Sequence, residues 1–283
     1  IGDELFIEEI KTSDPTYDEL SENTKTLYWS QAKVYGAILS QDLDYEQVTI
    51  QLTYYQRPTD DVLEQQQTFS RQELSEFFDE LINEYQEWVR RQRDWRSVRN
   101  QSAQKLAFPF SEYRAGQREL AVAVYKTILT EQRLFVEAPT GTGKTISTLF
   151  PSIKAIGEAK MERIFYLTAK QSTQHVAEEA LELMAEGGLK LKSITLTAKD
   201  KIIFPEEVGV NPENNPYMLG YYDRVKDGIQ DVLDHENQLT KEVIQKYAKK
   251  HTLDPFEFSL DLSLFCDLII GDYNYLFDPR VYL

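Results

Sequence analysis

The chain is poor in cysteine and in long apolar runs, and both shortages narrow the class of protein. Among its 283 residues only Cys266 is a cysteine, so no disulfide framework can form within the chain. No apolar stretch approaches the roughly 20 residues that a transmembrane helix needs. Nothing at the start of the sequence is typical of a secretory signal. We therefore expect a soluble protein of the reducing cytoplasm, with no membrane partner.

Positive charge is also scarce. Lys and Arg together number 31 against 47 Asp and Glu, which gives a formal net charge of −16 at pH 7. A surface this acidic repels phosphate backbones, which argues against indiscriminate wrapping of nucleic acid but leaves room for a local basic track. The length and a hydrophobic fraction of 41% suffice for two domains and a sizeable core.

One glycine-rich octapeptide carries most of the functional information. Residues 138–145 read APTGTGKT and stand between a short apolar run at 134–136 and a segment of helical periodicity at 146–156. This order predicts a strand, a loop and a helix. Gly141 and Gly143 would let successive backbone N–H groups turn inward to a phosphate, and the start of the helix adds positive potential. Ala138 stands where the stricter pattern has glycine.

The residue types in the loop assign the roles. Lys144 supplies a positive charge for the outer phosphates of a nucleotide, and the Thr145 hydroxyl is a ligand for Mg²⁺. We therefore treat these two residues as the candidate catalytic pair. The predicted nucleotide contacts of the loop are Pro139, Thr140, Gly141, Thr142, Gly143, Lys144 and Thr145. The simpler alternative is an ordinary glycine turn before a helix.

What does not follow the loop also matters. No apolar strand after residue 145 ends in the Asp-Glu pair that would hold Mg²⁺ and polarise water for hydrolysis. The sequence begins with Ile1 instead of Met and stops soon after a strand-like run at 268–270. We expect a fragment of a longer protein that binds nucleotide weakly and hydrolyses it slowly or not at all.

Apolar periodicity divides the chain into three regions. Residues 1–68 contain strand-like segments at 5–10 and 48–54 on either side of a helix-like segment at 23–39. Residues 69–107 place apolar side chains at helical spacing and predict a connecting helix with a basic end. From residue 108 to 283 strands alternate with helices, which predicts α/β architecture with a parallel sheet.

Three further motifs surround the loop in a recognisable order. Residues 110–117 (FSEYRAGQ) precede it, residues 164–170 (IFYLTAK) follow it as a strand entering a polar turn, and residues 267–279 read DLIIGDYNYLFDP. In this order and spacing, residues 108–283 resemble the first motor domain of superfamily 2 DNA helicases of the XPD/DinG type. The resemblance implies an incomplete RecA-like P-loop domain.

The resemblance also implies ligands and roles. ATP and Mg²⁺ would be the cofactors, single-stranded DNA a partner, and a second motor domain part of the whole machine, in DNA repair or recombination. Gln117 would recognise adenine, because an amide can donate to and accept from one edge of the base, with Arg114 assisting. The turn at Thr168, Ala169 and Lys170 would contact the DNA backbone.

One feature of that family is altered here. Its members carry four cysteines that bind an iron–sulfur cluster in an insertion, which corresponds to residues 197–260 of this chain. The positions of those cysteines are held by Ile203, Val210, Asn215 and Asp254. We expect no iron–sulfur cluster and a small helical insertion in which Ile203 and Val210 turn inward.

The first region carries a second constellation. Glu9 and Lys11 are two apart and share one face of a strand, where they could hold a metal ion and orient water. Gln31 and Tyr35 are four apart and share one face of a helix. E-x-K followed by Q-x-x-x-Y resembles RecB-type nucleases of the PD-(D/E)-x-K fold, so residues 1–68 would be a partial restriction-endonuclease-like α/β segment. That family also needs an Asp on a preceding strand.

Alternatives remain for the function and for several side chains. The chain could be a metal-dependent DNA exonuclease through its first region, or a non-catalytic nucleotide-binding module; a small-molecule kinase would not need Gln117 or the turn after residue 167. The basic helix end could contact DNA, although a solvated helix face is the preferred interpretation. Its arginines are Arg90, Arg91, Arg93, Arg96 and Arg99. We expect His175, His235 and His251 to be ordinary surface residues.

Overall fold

A computed structural model describes residues 5–139, 141–211 and 214–277. The chain forms two compact units, the first ending at Arg93 and the second beginning at Asp94. This boundary falls inside a single long helix, at the place where the sequence predicts a connector. Within the described ranges, no helix is both long and apolar enough to cross a membrane.

The first unit is a three-stranded sheet with one helix and the beginning of a second packed against it. Its elements are β1 (Leu5–Ser13), α1 (Glu22–Asp42), β2 (Gln47–Gln56), β3 (Asp61–Ser70) and the beginning of α2 (Arg71–Lys105). β1 and β2 are parallel and joined through α1, whereas β2 and β3 form an antiparallel hairpin. The side chain of Ser21 accepts a hydrogen bond from the Thr24 N–H and so caps α1.

The core of this unit follows the predicted alternation of β2. Val48 and Ile50 face α1 and pack with Ile7 and Leu74 in one buried cluster. At Gly36 the helix α1 comes close both to the sheet and to α2, because a Cβ atom there would lie 3.3 Å from Ile50 Cδ1 of β2 and 3.0 Å from Leu74 Cδ1 of α2. A larger side chain at position 36 would therefore push α1 away from the strands.

β3 was not predicted. Its sequence is mostly polar and most of its side chains are exposed, so it lacks the alternation that marks β1 and β2. The available signal was the turn before it, since Pro58 and the left-handed Asp60 (φ 59°) reverse the chain between two strands. Hairpin hydrogen bonds along all of β2 then hold a strand that has little apolar surface to bury.

The second unit is a parallel α/β domain, as the sequence predicted. In chain order it contains the end of α2 and then α3 (Gln117–Leu129), α4 (Lys144–Gly157), β4 (Ile164–Thr168), α5 (Gln171–Glu186), β5 (Ser193–Thr195), α6 (Lys199–Ile202), α7 (Tyr221–His235), β6 (Gln238–Leu239), α8 (Lys241–His251), α9 (Pro255–Ser263), β7 (Leu268–Asp272) and α10 (Asn274–Phe277). The spatial order of the strands is β4, β7, β5, β6, and every pair is parallel. Leu149, Ile153 and Ile156 of α4 belong to one buried cluster with Leu268 and Ile270 of β7. This packing fixes α4 against the sheet.

The strand predicted at residues 134–136 is absent. The segment makes no sheet pairing, and Phe135 is 91% exposed. The prediction relied on three consecutive apolar residues, but a strand also needs a neighbouring strand to pair with. Among the described residues, β4 pairs with β7 instead. Leu134 and Val136 instead line a groove with α3 and β4.

The expected basic face of α2 is only partly correct. Arg90, Arg91, Arg93 and Arg96 are exposed. Arg99 is instead buried, and its guanidinium donates to Asp267 Oδ1 at 2.6 Å. Asp267 also accepts from the Trp95 indole N–H at 3.1 Å and from the Lys192 backbone N–H at 2.9 Å. These contacts anchor the end of α2 to the start of β7.

We predict that Arg99→Ala destabilises the second unit by about 3–5 kcal/mol, because it leaves the buried Asp267 carboxylate without its cation. Urea unfolding followed by circular dichroism measures the change. Arg96→Ala removes an exposed guanidinium from the same helix and should stay within about 0.5 kcal/mol of the parent. Equal unfolding midpoints for the two variants would contradict the prediction.

Candidate nucleotide-binding site

The glycine loop ends where α4 begins, as predicted. Gly141 and Gly143 both have left-handed backbone, with φ of 82° and 71°. Gly143 is the N-cap of α4 and makes no side-chain capping bond. The first N–H groups of any α-helix lack intrahelical acceptors, so this end of α4 is suited to bind an anion. Thr140, a predicted contact, lies outside the described residues.

Lys144 folds back on the loop. Its ammonium donates to the carbonyl oxygens of Ala138 at 3.0 Å and Pro139 at 2.7 Å. The Thr142 hydroxyl donates to the same Pro139 oxygen at 2.9 Å. The ammonium is therefore held beside the loop, and it must leave these carbonyls to contact a phosphate.

Thr145, the predicted Mg²⁺ ligand, has a partner that the sequence analysis missed. Its Oγ1 lies 3.2 Å from the hydroxyl oxygen of Tyr166 on β4. When a hydroxyl oxygen coordinates a cation, its proton must point away from the cation. The Tyr166 oxygen can accept a hydrogen bond from that proton. Strand alternation was the available signal, because Ile164, Tyr166 and Thr168 occupy the same face of β4.

Gln117 and Arg114 both reach the loop. Gln117 is 3% exposed, and its Oε1 accepts from the Arg114 backbone N–H at 2.7 Å. Its Nε2 lies so close to Gly143 that a Cβ there would be 2.1 Å away. The Arg114 guanidinium donates to the Gly141 carbonyl at 3.0 Å. These two predicted adenine contacts are therefore also the side chains that support the two loop glycines.

Two grooves flank the loop. A groove of about 310 Å³ is lined by Gly116, Gln117, Ala123, Val136, Pro139 and Thr142, among others. A groove of about 520 Å³ lies between α3, α4 and β4 and reaches Lys144 and Thr148. Both are of the size that small-molecule sites use. The first includes Gln117 and is therefore the candidate site for a base.

The three predicted DNA contacts in the turn after β4 differ in their exposure and in what they contact. Thr168 is buried, and its hydroxyl donates to the Lys170 carbonyl at 2.8 Å and accepts from the Lys170 N–H at 3.2 Å. Ala169 and Lys170 are exposed, and Lys170 is the N-cap of α5. Thr168 thus shapes the turn, while the Lys170 side chain is accessible.

The four nuclease candidates come together in the first unit. The Lys11 ammonium lies 2.7 Å from Glu9 Oε1 and donates to Gln31 Oε1 at 2.6 Å. The Gln31 amide donates to the Tyr35 hydroxyl at 3.1 Å. In the part of the chain that the structure describes, no group of three or more His, Cys, Asp or Glu side chains could hold a metal ion. The acidic residues that precede the E-x-K strand, Asp3 and Glu4, lie outside that part.

The insertion differs from expectation at one apolar position. Val210 is exposed and Ile203 is only partly buried, so the expected inward turn of Val210 is wrong. Ile202 fills the core instead, whereas Val208 and Val210 both lie on the surface. The buried positions of the four are the polar ones, Asn215 and Asp254.

The three histidines differ in their surroundings. His175 and His235 are exposed, as expected. His251 is partly buried, and its Nε2 lies 2.7 Å from Asp231 Oδ2, beside Lys250. Each histidine has a carboxylate neighbour on the insertion or on α5, which fits a structural role better than metal ligation.

Comparison with known proteins supports the assignment of the second unit. Residues 118–241 match the DEAD/DEAH box helicase family. A probable ATP-dependent helicase of Methanocaldococcus jannaschii is 39% identical over 49 residues, which cover 17% of this chain and 8% of that protein. The XPD/RAD3 helicase subunit of general transcription and DNA repair factor IIH from Saccharomyces cerevisiae is 22% identical over 210 residues, which cover 62% of this chain and 27% of that protein.

These similarities all point to one class of protein. The family match spans the glycine loop, β4 and most of the insertion, and together with the two relatives it supports a superfamily 2 helicase with an ATP-binding domain. The chain spans less than a third of the length of either relative.

We predict that Cys266 is unreactive in the folded chain. Burial raises the pKa of its thiol, so less of the thiolate that attacks labelling reagents forms than at a free cysteine, which ionises at about 8.5. Labelling with Ellman's reagent should be at least about 100-fold slower in buffer than in guanidinium chloride. Equal rates in the two solvents would show that residue 266 is not in the core.

Proposed function

We propose that this chain is the first motor domain of a DNA helicase or translocase that couples ATP hydrolysis to movement on single-stranded DNA, in repair or recombination. The observation that carries the proposal is the start of α4, where two left-handed glycines, Lys144 and Thr145 meet Gln117 and Tyr166. This set combines groups for phosphates, a cation and a base.

Each group has a task in the proposed chemistry. The α4 N-terminus and the loop amides bind the phosphates, and Lys144 transfers from the Ala138 and Pro139 carbonyls to the outer phosphate oxygens. Thr145 would hold Mg²⁺ through its hydroxyl oxygen, with the hydroxyl proton donated in a hydrogen bond to the Tyr166 oxygen. Such pre-positioned positive groups stabilise the charge that develops during phosphoryl transfer.

The base and the DNA have separate sites in this proposal. Adenine enters the groove of about 310 Å³, with Gln117 and Arg114 on its loop side. The DNA backbone meets the exposed turn at Ala169 and Lys170, whose shape depends on the Thr168 hydroxyl. The hydrolytic carboxylate pair and a second motor domain would come from outside this chain, so the isolated chain is expected to bind ATP without rapid turnover.

We predict that Lys144→Ala weakens binding of a fluorescent ATP analogue by at least about tenfold, or about 1.4 kcal/mol, in the presence of Mg²⁺. The loss follows because the variant lacks the ammonium that would transfer from the Ala138 and Pro139 carbonyls to the outer phosphates. Lys160→Ala removes an exposed ammonium just beyond α4 and should bind like the parent. A parent chain that binds no nucleotide would overturn the proposal. Brisk DNA-stimulated phosphate release by the isolated chain would refute the need for a second motor domain.

A second candidate function rests on the first unit. The ordered contacts from Glu9 through Lys11 and Gln31 to Tyr35 bring together the four side chains of the E-x-K and Q-x-x-x-Y motifs. We propose these as the remains, or the working part, of a metal-dependent DNA exonuclease site. Glu9 would bind the cation and Lys11 would orient the attacking water.

This candidate predicts cleavage of end-labelled single-stranded DNA in the presence of Mn²⁺, lost in Lys11→Ala. Glu8→Gln is the matched control, because Glu8 lies on the same strand but bonds Thr53 and Gln51 on the opposite face. Cleavage that survives Lys11→Ala would point to a contaminating nuclease. Nucleotide binding without cleavage, and without hydrolysis even in a longer form of the protein, would favour the third alternative, a non-catalytic nucleotide-binding module.

A further inference from the structure

The insertion does not fit the iron–sulfur cluster that the resemblance implies. Such clusters are held by cysteine thiolates, with histidine in some cases. The four corresponding positions carry Ile203, Val210, Asn215 and Asp254, and none of them supplies either group. Cys266 is buried elsewhere, with its thiol donating to the Leu262 carbonyl at 3.4 Å. An interaction other than metal binding must therefore hold together the parts of the chain around these four positions.

Glu207 connects the turn that follows Ile203 to the loop at Asn215. It belongs to a single 3-10 turn (Pro205–Glu207) and is 5% exposed. One carboxyl oxygen accepts from the Phe204 backbone N–H at 2.7 Å. The other accepts from the Asn215 amide at 3.1 Å, and Asn215 is equally buried. A buried carboxyl thus ties the turn to the loop at position 215.

Asp254 connects the start of α9 to the same loop. Its Oδ1 caps α9 by accepting from the N–H groups of Phe256 at 2.8 Å and Glu257 at 2.9 Å. Its own backbone N–H donates to the Tyr217 carbonyl at 3.1 Å. The Tyr217 N–H in turn donates to Asn215 Oδ1 at 2.9 Å. The start of α9 is therefore bonded to the same loop that Glu207 holds.

The two buried carboxyl groups also contact each other. Burial raises the pKa of Glu207, and the charge of Asp254 and a side-chain hydrogen bond to it act in the same direction, against the donors at Phe204 and Asn215. The hydrogen bonds from Phe204 and Asn215 therefore offset part of the unfavourable proximity of the two carboxyl groups.

We infer that Glu207, Asn215 and Asp254, here called the carboxyl–amide staple, hold the insertion together without a metal, at the places where cluster-bearing helicases have cysteines. Two of its three members stand at those places, and the third bridges them. The inference goes beyond ATP binding and DNA movement and does not depend on them. It implies an insertion whose fold withstands chelators and oxidants.

Hydrogen exchange read by mass spectrometry tests the staple in the full chain. Glu207→Ala should accelerate exchange by about tenfold or more at the amides of Phe204, Phe256 and Glu257, which donate to staple oxygens. Exchange in α4 should stay unchanged and serves as the internal reference. Asp227→Ala, which removes an exposed carboxylate from α7 of the same insertion, is the matched control. Equal exchange in both variants would overturn the inference.

Two further measurements keep the test decisive. If Glu207→Ala does not fold, Asn215→Ala removes only the amide and should open residues 203–217 while α4 stays protected. Elemental analysis of the parent chain should find no stoichiometric iron or zinc, and exchange should be the same before and after chelation with EDTA. Stoichiometric metal, or opening on chelation, would overturn the inference. Neither result bears on whether the chain binds nucleotide.

Discussion

The close approach of Gln117 to Gly143 is the constraint on which the candidate site depends. A Cβ atom at position 143 would lie 2.1 Å from the Gln117 amide nitrogen, and the φ of 71° disfavours any side chain there. The left-handed backbone therefore favours glycine, and a side chain at this position would in addition displace the Gln117 amide. Because Gly143 is the N-cap, this contact also decides where α4 starts, and hence where Lys144 and Thr145 project.

The sheet supplies the other half of the geometry through Asp267. Its bonds to Arg99 and Trp95 and to the Lys192 N–H fix the start of β7, and β7 then sets the register of β4, with Tyr166 opposite Ile270. The register in turn places the Tyr166 hydroxyl beside Thr145. A buried ion pair remote from the loop in sequence thus determines which strand residue meets the predicted magnesium ligand.

Sequence reasoning succeeded where the determinant is local. The glycine loop, the helical period of α2 and α4, and the spacings that put Glu9 beside Lys11 on one strand and Gln31 beside Tyr35 on one helix all lie within a few residues or one element. It failed where the partner is distant. Arg99 meets a carboxylate 168 residues away, and nothing in its own helix distinguishes it from four exposed arginines. Sequence reasoning identified two of the staple residues, Asn215 and Asp254, only as positions without the expected cysteine. It could not identify Glu207, because nothing at position 215 or 254 indicates which residue connects them.

The position of Lys144 bears on whether the loop can still bind a phosphate. An anion site is lost if the protein satisfies the inward N–H groups itself. In this structure the Lys144 ammonium donates hydrogen bonds to the carbonyl oxygens of Ala138 and Pro139. A phosphate is itself an acceptor and does not bind to such oxygens. Moving one flexible side chain exchanges two neutral acceptors for charged ones, and charge-assisted bonds are the stronger kind. The fold thus holds the cation of the site within reach of the loop.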